Sequence, residues 1–263
     1  MSRPTLVWRD LRALSPFQVA VEITLPIPWL IFALIFGAFG LWYLTVIATF
    51  AMFMTGLRVT HNAFHNTVGL SKRGDDCLMF GLSVLLGGAM HAIEYTHLQH
   101  HRDCFGAKDI EGAIARLSFG QALMQSPSYP LRIHCAALKH GSARQKFWVR
   151  RELAAVALLQ ILIWLVVDSS VLQLMSLALI FANLTAAMVG IWAVHRSCDS
   201  TAFSARSSRS KILNTLVYGM FFHLEHHLYP GVPTRNLAVL AQRLDLANQQ
   251  AGAIERIQMV TGR

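Results

Sequence analysis

A chain of 263 residues with 54% hydrophobic and 14% charged residues departs from soluble domains, where about 25% are charged, and reads as a membrane protein. Its formal net charge of +9 is spread along segments that flank apolar blocks. No nucleic-acid-binding motif accompanies that charge, which excludes a nucleic acid as its partner. The four cysteines, Cys77, Cys104, Cys135 and Cys198, show no C-x-x-C spacing, which argues against disulfides and excludes a zinc ribbon.

Met1 to Pro16 is polar and mixed in charge, without a short apolar core and small-residue cleavage site, so it does not read as a signal peptide. Leu25 to Leu57 carries no charge. As one helix it would reach about 50 Å, against a hydrocarbon core of about 30 Å. It must fold back, and Gly37-Ala38-Phe39-Gly40 offers the turn. Cys77–Met90 is apolar but short for a span, which suits an interfacial helix. Residues 102–150 are polar and basic, with Pro127 and Pro130 as breakers, and predict a cap of short helices. A second apolar block, Leu153 to His195, is interrupted at Asp168-Ser169-Ser170 and predicts spans near 153–167 and 171–193. Tyr229-Pro230-Gly231-Val232-Pro233 ends the helix that precedes it, and an amphipathic helix follows from Thr234.

All 23 Lys and Arg lie outside the two apolar blocks. By the positive-inside rule, both termini and every charged segment are expected in the cytoplasm, with the hairpin tips opposite. The expectation is a single domain over residues 1–263. It is all-α and integral to the membrane, with four transmembrane helices in two hairpins and a cytoplasmic helical cap.

Nine of the twelve histidines fall into a pattern. His61 and His65 form an H-x-x-x-H; His97, His100 and His101 form an H-x-x-H-H; His195 stands alone; His223, His226 and His227 form a second H-x-x-H-H. Helical residues three or four apart share a face, so each box aims its imidazoles at one point. Nine nitrogen donors exceed what one zinc takes, and at five or six per metal they serve two metals. By the topology above, all nine lie on the cytoplasmic side. A zinc peptidase would need H-E-x-x-H, which is missing, and paired haem ligands would lie inside the spans.

His91, His134 and His140 lack the spacing: His91 reads as a group beside the ligands or at the interface, the other two as surface residues. Glu94, Asp103, Asp109, Asp199 and Glu225 lie near the boxes, and one or two of them are expected to accept the outer N–H of a metal-bound imidazole. Met52, Phe53, Met54, Met79, Phe80, Phe221 and Phe222 are candidates for the lining of an apolar channel, with core packing as the commoner use of such residues.

With the boxes in this order, and Phe222 to Pro230 as the third box with its trailer, the chain resembles the membrane-bound fatty acid desaturase and hydroxylase superfamily from about Thr60 to Leu244. The resemblance implies two irons bound by His61, His65, His97, His100, His101, His195, His223, His226 and His227, with O2 as co-substrate. It implies oxidation of an unactivated C–H bond of a membrane lipid chain, fatty acyl by preference, in a bacterial inner membrane. Electrons would come from a separate ferredoxin, rubredoxin or cytochrome-type donor. His195-Arg196 and Phe203-Ser204-Ala205-Arg206 are similar to bacterial carotenoid ketolases, so a carotenoid ketolase or hydroxylase is the alternative. A metal-binding transporter or sensor is the alternative of another class. Such a role calls for ionisable groups in the spans, where only Glu22 is found.

Overall fold

A computed structural model describes residues 6–199 and 203–250, and these contain helices and no strand. The outermost parts of both termini, residues 1–5 and 251–263, lie outside the described residues, so the reading of the chain start and the sidedness of the ends find no structural counterpart there.

The first arm begins earlier than the uncharged stretch. Ser15 caps α1 (Pro16–Thr24) in a reciprocal box with Gln18, with Pro16 at the first helical position. After a break, α2 (Ile27–Ala38) completes a 23-residue apolar segment, Pro16–Ala38. Gly40 at φ 70° makes the turn that the composition predicts, and α3 (Trp42–Phe64) returns. Polar groups within α3 satisfy themselves: the hydroxyls of Thr45, Thr49 and Thr60 donate to carbonyls four residues back.

Glu22, on the first arm, is fully buried and is neutralised rather than exposed to lipid. Its carboxylate takes a two-pronged contact from Arg58, Nη2 at 2.6 Å and Nε at 3.1 Å, with Arg235 at 3.4 Å. Asn62 donates to the same carboxylate and accepts from the N–H and hydroxyl of Thr234. This knot joins α1, α3 and the segment after the third box at a point next to His61.

α4 (Lys72–Leu86) and α5 (Met90–Arg102) form one apolar-to-polar path bent by 112°. Gly87 at φ 77° ends α4, its N–H bonded to the Ser83 carbonyl. Asn183, from the second hairpin, donates to the Leu86 carbonyl left without a helical partner. Short helices follow as expected: α6 (Ile110–Ala115), α7 (Phe119–Gln125) and α8 (Tyr129–His140). The next helix is longer than the predicted span. α9 (Ala143–Ile161) starts at a Ser142–Gln145 capping box and runs on as a π-helix to Val166, so its first half carries Arg144, Lys146, Arg150 and Arg151. α10 (Ser170–Ala187), a π-helical turn at Met188–Trp192 and α11 (Ala193–His195) form the last apolar segment. α12 (Lys211–Leu216), α13 (His223–Leu228) and α14 (Leu237–Gln250) complete the order.

Three helical segments, Pro16–Ala38, Trp42–Phe64 and Ser170–His195, are long and apolar enough to cross a membrane, and the bent α4–α5 pair makes up to four. α9 does not join them, because its basic half interrupts the apolar run. α3 lies at the centre: Met52, Phe53 and Val59 pack with Met79 and Leu86 of α4, Met90 of α5 and Leu179 of α10. The outward faces of α2, α9 and α10 expose Phe32, Ile35, Leu158, Trp164, Leu177 and Phe181. Helices apolar on both the packed and the open face belong in lipid, and the protein is accordingly a membrane protein.

Candidate metal centre

All nine histidines of the pattern converge, from four helices. α3 contributes His61 and, at its C-terminal cap, His65; α5 contributes His97, His100 and His101; α11 carries His195 and α13 carries His223, His226 and His227. The π-helical turn before α11 adds a residue to the helical circuit, a device common at functional sites. It brings His195 in at the end of a span.

The donor atoms sort into two groups. His61, His65, His97 and His226 have ligand atoms within 4.8 Å of one another, as do His195, His223 and His227. His100 joins the second group, its Nε2 3.1 Å from His195 Nε2. His101 stands between them: its Nε2 is 2.9 Å from His226 Nε2, and its ring stacks on His227 with centroids 4.2 Å apart.

The outer nitrogens explain why these contacts call for a cation. His97 Nδ1 faces Glu111 Oε2 at 3.2 Å, and His100 Nδ1 faces Asp109 Oδ2 at 2.8 Å. His195 Nδ1 donates to the Ser204 carbonyl at 2.7 Å. An imidazole that donates from Nδ1 holds a bare lone pair on Nε2. Bare lone pairs then face each other at 3.1 Å for His100 and His195, and those of His97 and His195 also face Nε2 of His65 at 3.1 Å and of His223 at 2.8 Å. Both nitrogens of His61, and Nε2 of His227, are buried without any partner. Orphaned donors of one kind, aimed inward at such separations, fit a pair of metal ions.

Electrostatics agree at the third box. Burial holds His223, His226 and His227 well below the usual imidazole range, and neighbouring imidazoles add to the effect. They are neutral at physiological pH, the form that binds metal. Burial opposes ionisation of Asp109, yet its bond with His100 and backbone N–H donors keep the carboxyl below its ordinary value. Burial raises Glu111 to about 7.

Of the five acids singled out by position, only Asp109 accepts from a box histidine among the described contacts. Glu94 instead pairs with Arg144 and Lys72, and Asp199 with Arg116. Asp103 is exposed. Glu225 turns away from the ligand face, as helical geometry requires, and is fully buried against Arg209 and Ser207. Glu111 was missed: it lies two residues past Asp109, and only the fold-back of the 103–109 loop carries it to His97. His91 is remote from the cluster, sealed between Glu152 at 2.6 Å and Asp76 at 3.4 Å and stacked on Trp148. His134 is half-buried rather than a surface residue, because the Ala89 N–H at the start of α5 donates to its ring. His140 is exposed, as expected.

An apolar cavity opens onto the cluster. Phe53, Met54 and Leu57 of α3 line it with Ala186 of α10, and it reaches His61, His97 and His223, with Glu111, Tyr129 and Thr185 as its other polar groups. Of the candidates for a channel lining, Phe53, Met54 and Phe221 serve. Met52 and Met79 belong to the core, Phe80 packs on Trp148, and Phe222 packs under α14. A separate polar pocket, lined by Arg9, Arg12, Asn66 and Thr67, reaches His65 from the other side.

No curated protein matches the chain. The family model described as fatty acid desaturase matches residues 29–254, which includes every box, most of α2 and the apolar helices that follow it. The chain belongs to the fatty acid desaturase family.

Proposed function

We propose that the nine histidines hold two irons, and that the chain uses O2 to desaturate or hydroxylate an unactivated C–H bond of a membrane-resident hydrocarbon chain, a fatty acyl group by preference. The observation that carries this reading is the apolar cavity reaching His61, His97 and His223, because these imidazoles belong to both donor groups. The irons supply the oxidising chemistry at a carbon that offers no acidic proton. The chain supplies position. Phe53, Met54 and Leu57 exclude water and guide an alkyl segment toward the imidazoles, while Asp109, Glu111 and the Ser204 carbonyl fix the ring orientations.

The reading extends to the surroundings. The distribution of Lys and Arg supports a cytoplasmic cap, and we place the expected four spans in a bacterial inner membrane. An external donor of ferredoxin, rubredoxin or cytochrome type with an acidic face would meet the Arg9 and Arg12 side of the pocket at His65.

The test is mass spectrometry of lipids and pigments from a host expressing the chain, alongside iron analysis of the purified protein. A new desaturated or hydroxylated acyl product and iron at about two per chain are expected, both lost in His100→Ala and His226→Ala. Iron and product retained in either variant would overturn the ligand set. A modified carotenoid ring in place of an acyl product would move the substrate to pigments. Bound metal with neither product nor O2 consumption would indicate a metal-handling role.

A further inference from the structure

Beside the histidines lies one potential ligand of a different kind. The Cys104 sulfur is 3.7 Å from His100 Nε2, and His100, Cys104 and His195 bring their donor atoms within 4.8 Å of one another. With bonds of about 2.1 Å to nitrogen and about 2.3 Å to sulfur, as at zinc, ligands of one metal stand roughly 3 to 4.4 Å apart. The sulfur is therefore at ligand distance.

The surroundings aim a cation at this point. His100 and His195 are fully buried, and both commit Nδ1 elsewhere, to Asp109 and to the Ser204 carbonyl. Their Nε2 lone pairs are left facing each other and the sulfur. His227, whose ring centroid is 5.1 Å from that of His100 and 4.8 Å from that of His195, keeps a buried Nε2 without a partner. The backbone is bent to hold the thiol here. Phe105 adopts φ 62°, costly for an aromatic residue, and its N–H donates at 2.7 Å to the Asp109 oxygen that also serves His100. One carboxylate thus positions both the imidazole and the residue after the cysteine. The other contact of the thiol is weak, 3.9 Å to the Ser204 carbonyl.

We propose that Cys104 is a thiolate ligand of the metal held by His100, His195, His223 and His227, so that the two metals have different donor sets. This rests on the metal centre proposed above. On binding, the S–H bond breaks and a sulfur–metal bond forms; the proton leaves to solvent and no electron is transferred. The thiolate adds a negative charge to a donor set that is otherwise neutral imidazole.

The full chain in detergent, freed of metal and reloaded with Co2+ alone, tests this. The chain with its natural cysteines and Cys135→Ser should both show a near-ultraviolet thiolate-to-cobalt absorption, and Cys104→Ser should lose it while still binding cobalt. Cobalt binding without that absorption, or its survival in Cys104→Ser, would overturn the proposal while leaving the histidine centre standing. Failure of the natural chain to bind cobalt would overturn both. A second measurement does not depend on the variant folding: iodoacetamide should alkylate Cys104 in the metal-free protein and at least 10-fold more slowly after cobalt loading, read by peptide mass spectrometry. Equal rates would overturn the assignment.

Discussion

Asp109 shows what a single side chain contributes to this site. It accepts from His100 Nδ1 and from the Phe105 N–H through one oxygen, so its charge sets the tautomer of a box histidine and the path of the loop together. Asp109→Asn keeps the shape but weakens the acceptor and introduces an amide donor. Metal affinity should fall about 10- to 100-fold, read by competition with a chelator, while the helical circular dichroism stays unchanged. Unaltered affinity would show that the carboxylate merely packs. The nine histidines were legible in the sequence because three- and four-residue spacings encode a shared helical face without reference to the rest of the fold. Glu111 was not, because its nearness to His97 depends on how residues 103–109 double back, and Cys104, though four residues past His100, lies beyond the end of α5 at Arg102, where helical spacing no longer assigns a face. No periodicity records such a reversal.

Among the elements, the knot around Glu22 links the start of the first arm to the helix that carries His61. Arg58 is itself largely buried, so Glu22→Ala would leave an uncompensated cation beside the first box. Removing one partner of a buried pair costs about 3–5 kcal/mol. The melting temperature in detergent should fall, and bound metal with it, since Asn62 in the same knot neighbours His61. Unchanged thermal stability would mean that Arg58 finds another partner. Sequence reading located the hairpin turn at Gly40 and the end of the last apolar segment at His195. The uncharged run begins inside the first arm: Ser15 and Pro16 supply the helix start ahead of it, and Arg58 neutralises the Glu22 that the span includes. The sequence reading set the span in α9 too late, because basic residues decorate the front of a helix whose cap is Ser142.

For the whole molecule, the charge map makes a prediction about orientation. Cys135 is exposed on α8, and Asp168 is exposed between the π-helical end of α9 and α10, at the tip of the second hairpin expected from the sequence. If the cap is cytoplasmic, a membrane-impermeant maleimide should label Cys135 in inverted vesicles but not in intact cells stripped of their outer envelope. Asp168→Cys should show the opposite pattern, read as mass shifts. Labelling of both positions from one side would refute the hairpin. The order of the boxes along the chain has a further consequence, in time rather than in space. Both four-histidine groups draw on α13, His226 for one and His223 and His227 for the other. Neither is complete until residue 227 has been synthesised and α13 has docked against helices made long before. A chain stalled or cut before that point has its apolar segments and an open set of imidazoles. Loading of the proposed metals would therefore be a late event in biogenesis, and a bound ion would act as a clasp closed only on correctly inserted chains, stabilising the folded form as the metal available rises.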